Sequence, residues 1–199
     1  MLSSITPLGE RGRSMRWGAT VSAYVVGSTL SGGALGALAG AAGSLLRRDL
    51  PGERVLLGVV ALACLAGAAL DLRPAGRRVP SWRRQVDEDW LHRYRGWVYG
   101  IAFGAQLGLG VVTIVTTWSV YLVWLLAVLS GQWLLGTAIG AGFGLARAMP
   151  TLLLGRVGGA DELGALFRRL HHWAPGAVRG TAALQLAASA GALVLAGGR

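Results

Sequence analysis

Three observations predict an all-α, polytopic integral membrane protein of about five transmembrane helices with Gly-rich packing faces. Of the 199 residues, 53% belong to the hydrophobic set and only 14% are charged, against about 25% in an ordinary soluble domain. Mean hydropathy is +0.53. Uncharged runs of spanning length alternate with arginine-rich stretches, and a spanning helix needs about 20 mostly apolar residues. So few charges cannot cover a water-facing surface. That excludes a secreted disulfide scaffold, a disordered tail and an ordinary cytosolic enzyme.

The elements follow from the gaps between charges. Residues 1–16 form a basic cytoplasmic tail with Arg11, Arg13 and Arg16, and 17–199 form a single transmembrane domain. The uncharged run 17–46 far exceeds a signal-peptide core of about 7–15 residues, so it reads as a retained first span. The second span is 55–72, with Asp71 near its end. Residues 96–146 contain no charge and are long enough for two helices joined at Ser130-Gly131-Gln132, where Ser and Gly suit a turn. The third helix is then 97–129 and the fourth 133–154. At 1.5 Å per residue the third is too long for a bilayer. A tilt or break is expected, best placed at Thr116-Thr117-Trp118-Ser119, whose hydroxyls can satisfy freed backbone groups. The fifth span is 178–196.

All 19 basic residues are arginine and the net charge is +10. With five spans, the tail, the second loop and the fourth loop share one side and hold fourteen of them; Arg47, Arg48, Arg54 and Arg199 fall on the other. The bias places the N-terminus in the cytoplasm and the C-terminus outside the plasma membrane. These arginines adjoin apolar runs, so anionic lipid headgroups are the expected partners and nucleic acid is not. Two loop segments, 73–95 and 156–177, carry periodic apolar residues. In 81–95 these are Trp82, Val86, Trp90 and Tyr94; in 161–173 they are Leu163, Leu166, Phe167, Leu170 and Trp173. Both read as interfacial helices on the cytoplasmic leaflet, the second equally well as a solvated connector.

The glycines are patterned. Gly32, Gly36 and Gly40 lie on one face of the first helix, Gly100, Gly104 and Gly108 on the third, and Gly136, Gly140 and Gly144 on the fourth. The fifth continues with Ala183, Ala187 and Gly191. Spacing by four lets another helix backbone approach closely. Packing is the simpler use; a surface that slides during alternating access is the functional one.

Segment 140–154 (GAGFGLARAMPTLLL) and segment 166–170 (LFRRL) resemble the Gly-rich penultimate helix and following linker of the CcdA/DsbD transmembrane family. The stretch from Tyr99-Gly-Ile-Ala-Phe-Gly104 to Thr113 resembles that family's helix bearing the second redox cysteine. The resemblance implies a LysE-like superfamily architecture with the first of six helices missing. It implies descent from proteins that carry thiol reducing equivalents across membranes for cytochrome c maturation. No catalytic residue carries over. The Pro-Cys helix has no counterpart, and neither proline nor cysteine occurs between Gly104 and Ser130.

Candidate intramembrane polar residues remain. Arg147 is the one charge well inside a span, and such a charge faces a partner, a cavity or the interface. Asp71 is its expected partner. Gln106, Thr113, Thr116, Thr117 and Gln132 either line a polar path or bond between helices. His92, His171 and His172 lack acidic neighbours at ligand spacing, and no metal or cofactor is expected. Cys64 is the sole cysteine, which removes any internal disulfide. No catalytic constellation is present, so the chain is not expected to be an enzyme. The expected function is permease-like movement of a small solute, with a second copy of the chain or another membrane subunit as partner. The alternatives are a redox-dead subunit or assembly factor of a CcdA-like system, and thiol exchange through Cys64.

Overall fold

The computed structural model describes residues 16–46, 52–73, 95–110, 117–157 and 159–198. Their order is α1 (Trp17–Leu46), α2 (Glu53–Asp71), α3 (Gly96–Leu109), α4 (Ser119–Ser130), α5 (Trp133–Ala148), α6 (Pro150–Leu153), a 3-10 turn (Leu154–Arg156) and α7 (Ala160–Gly197). The fold is all-α. The expected count of five spans is corrected: three described helices, Trp17–Leu46, Glu53–Asp71 and Asp161–Gly197, are long and apolar enough to cross a membrane. The region read as the third span is split between α3 and α4, and the fourth shortens to the 16 residues of α5.

The split has a local cause. Gly110 ends α3 with φ +71°, a conformation open to glycine and strained for other residues, and its N–H returns to the Leu107 carbonyl. The chain resumes at Thr117, whose hydroxyl lies 2.6 Å from that of Ser119. Part of the expected break therefore falls where α4 begins; Thr113 and Thr116 lie outside the described residues, as do 1–15 of the basic tail and most of the interfacial segment 81–95. Gly131, with φ +57°, turns α4 back into α5, and the Ser130 hydroxyl donates to the Ala127 carbonyl at 2.7 Å. Pro150 restarts the chain as the first residue of α6, where its missing N–H costs no helical bond.

Helix α1 is the axis. Lipid is as apolar as leucine, so close packing and interhelical hydrogen bonds hold such helices together. The glycines provide that packing. A Cβ on Gly32 would strike the Gly140 carbonyl, one on Gly36 the Gly136 carbonyl, and one on Gly40 the Gln132 carbonyl, so α5 runs antiparallel along α1. Gly100, Gly104 and Gly108 seat α3 parallel to α1, against the backbone at Thr20, Tyr24 and Ser28. Two hydrogen bonds tie these contacts: the Ser28 hydroxyl donates to the Gly144 carbonyl at 2.7 Å and the Ser31 hydroxyl to the Ala105 carbonyl at 2.8 Å. Val21, Tyr24, Tyr99, Phe103 and Ala148 fill the core at the first end of α1.

A second unit pairs α2 with α7, which run antiparallel. The Ser189 hydroxyl donates to the Ala61 carbonyl at 3.0 Å, and Ala182, Gln185, Ser189 and Ala192 are buried. This corrects the expected face of the fifth span, because Ala183, Ala187 and Gly191 are exposed. Polar side chains with partners on α2 set the rotation of α7. Residues 161–173 do not form a separate helix; they continue through Pro175 into the span as one helix of 38 residues. Asp161 and Glu162 stabilise its positive N-terminal end. Leu62, Leu184 and Val194, each more than 70% exposed, point outward as lipid-facing residues would.

Candidate functional site

The interruption between α3 and α4 falls beside the middle of α1, since Gly108 opposes Ser28 and Val128 opposes Gly43. There the last residue of α2, Asp71, reaches the first turn of α4. Its Oδ1 accepts the Trp118 N–H at 2.7 Å, and its Oδ2 accepts the Gln185 side-chain amide of α7 at 3.2 Å. A helix begins with backbone N–H groups that have no partner inside it and with a positive dipole end. The carboxylate therefore caps α4 from another helix and joins three elements at one point. The flanking hydroxyls of Thr117 and Ser119 add oxygen to the same turn. Gln185 is only 7% exposed, and its Oε1 has no hydrogen-bond donor. Beside Gly110, the Trp124 ring meets Phe143 edge-on, and its buried Nε1 has no acceptor.

The expected Asp71–Arg147 pair does not form. Asp71 is taken by Trp118 and Gln185, while Arg147 lies over the Phe143 ring at 5.4 Å. Arg147 sits in the last turn of α5, where a cation complements the helix dipole. Gln106 is half-buried on α3 and takes no part in the Asp71 hydrogen bonds, and Gln132 is exposed in the α4–α5 turn. Of the predicted polar residues, the structure brings Asp71 and Thr117 to one place. Gln185 was missed; the signal for it was a side-chain amide in the middle of the expected span 178–196, beside only Thr181, Ser189 and Arg179 as other polar residues. Among the described residues no group of three or more His, Cys, Asp or Glu side chains could hold a metal ion.

Cys64 is a buried free thiol on α2. Its loss is expected to remove little beyond packing, so Cys64→Ala should shift unfolding by at most about 2 kcal/mol and leave function intact. A loss of function at normal expression would contradict this.

Over about three-quarters of its length the chain is similar to proteins named methylamine utilization protein MauF. It is 32% identical over 154 residues to that of Methylophilus methylotrophus. It is 34% identical over 150 residues to that of Paracoccus versutus, and 35% over 152 residues to that of Paracoccus denitrificans. The chain spans about half the length of these curated relatives, 53–55% of each. No family model and no solved structure matches. These findings correct the CcdA/DsbD resemblance, and the CcdA- or LysE-type permease falls with it. The reason is physical: glycine at every fourth position reports close helix packing, so unrelated membrane helices share it.

Proposed function

We propose that the chain is a non-catalytic accessory component of the cytoplasmic membrane that serves the use of methylamine or a related small amine. The observation that carries this reading is the similarity, across about three-quarters of the chain, to proteins named for methylamine utilization. The non-catalytic part is supported by the chemistry present: one cysteine in the chain, buried in α2, gives no two-thiol cycle. In this reading α1, α2 and α7 cross the bilayer. Helices α3 and α4 together follow α1 from its start to its end, and α5 returns beside them. The arginine bias keeps the N-terminus in the cytoplasm.

The test is an in-frame deletion in the organism that carries the gene, with growth compared on methylamine and on ammonium as nitrogen source. Loss of growth on methylamine alone, restored by the full-length gene, is the expected result. Equal growth of the deletion strain and its parent on methylamine would overturn the proposal.

A further inference from the structure

We propose that Asp71 and Gln185, with the first turn of α4, form an intramembrane binding site for a small monovalent cation. Two independent deficits meet at this point, and both call for positive charge. The first is the carboxylate. Its partners are a backbone N–H and a neutral amide, and among the described residues no arginine pairs with it. The carboxylate is half-buried at the end of α2, and a partly desolvated charge with only dipoles around it gains from an opposite charge.

The second deficit is Gln185 Oε1, buried without a donor although its own amide group is hydrogen-bonded to Asp71. It lies close to the backbone of Gly67, one turn before Asp71. Exchanging the amide oxygen and nitrogen does not remove the deficit, because one end of the group would still lack a partner. An occupant that satisfies both atoms is positively charged and accepts lone pairs from, or donates hydrogens to, oxygen.

The charge of the site sets the charge of its ligand. One carboxylate and neutral oxygens balance a single positive charge, whereas divalent sites gather several carboxylates. All the groups available are hard oxygens, from Asp71, Gln185, Thr117 and Ser119. They suit an alkali-metal ion or an ammonium-type cation, which would make the same contacts. The inference does not depend on the amine-utilization reading: a sodium ion would fill the site equally well.

The test uses the full chain in detergent micelles. Thermal unfolding and the intrinsic tryptophan fluorescence, to which Trp118 and Trp124 contribute, are followed during titration with sodium chloride, methylammonium chloride or N-methylglucamine chloride at constant ionic strength. N-methylglucamine, a bulky organic cation, is the control for ionic screening. A saturable response to sodium identifies an alkali-metal site, and one to methylammonium an ammonium-type site. At ten times Kd the folded-to-unfolded ratio should rise about elevenfold, read as an increase in Tm of about 3–6 °C. Asp71→Asn should abolish the response. Gln185→Leu, which keeps the carboxylate but removes the orphan oxygen, should weaken affinity by about tenfold or more. Identical behaviour in the three salts would overturn the proposal, as would an undiminished response in Gln185→Leu. Should Asp71→Asn fail to fold, the wild-type titration and Gln185→Leu still decide the matter.

Discussion

Gly36→Leu is expected to prevent α1 from packing on α5 and to cost about 4 kcal/mol or more. A Cβ at this position would overlap the Gly136 carbonyl, and its other close neighbour is the Gly140 backbone. No rotamer relieves a collision with main chain, and two helices held along four successive turns cannot separate at one of them alone. The matched control is Gly142→Leu on α5. Gly142 is exposed with nothing within 4 Å of its Cβ position, so the same change there should stay within about 0.5 kcal/mol. Unfolding in mixed micelles and the yield of monodisperse protein measure both variants. Equal losses at the two sites would refute the backbone-contact account.

Asp71→Ala is expected to cost about 2–6 kcal/mol, because it strands two donors, the Trp118 N–H and the Gln185 amide, at about 1–3 kcal/mol each. Asp71→Asn keeps a carbonyl oxygen for Trp118 and should cost less. Combining Asp71→Ala with Gln185→Leu should recover part of the loss, since the second change removes an amide that has become unsatisfied. The cycle should show coupling of about 0.5–3 kcal/mol. Strict additivity would mean that Asp71 and Gln185 do not act together.

The two junctions differ in how far the sequence reveals them. Spacing by four in Gly32, Gly36 and Gly40, and in the glycines of α3 and α5, is a local signal. The structure uses each of those glycines for close backbone approach. The interruption near Thr117 was legible for the same reason: an uncharged stretch too long for one span must bend or break. Asp71 was legible as a charge at the end of a span, but its partner was not. Gln185 and Asp71 are 114 residues apart, and no periodicity in either helix states which helices meet. Arg147 attracted the wrong partner because opposite charge was the only guide. The rotation of α7 was misread because its small residues outnumber the polar ones that fix it. Its continuity through Pro175 was hidden because proline usually marks a boundary.

The pairing order has a consequence for biosynthesis. The Ser28–Gly144 bond joins residues 116 apart, and the Ser189–Ala61 bond joins residues 128 apart. At a translation rate of about 5–20 residues per second, α1 waits about 6–23 s for its partner helix, and α2 somewhat longer for its own. Neither helix can complete its contacts with the segment that follows it directly. The glycine-lined face of α1 therefore stands open to lipid or to the insertion machinery until α5 has been made, and the face of α2 until α7 has been made. A ribosome that stopped before Gln185 would release a chain with α1 and α5 able to assemble, and α2 left with neither its amide nor its hydroxyl partner.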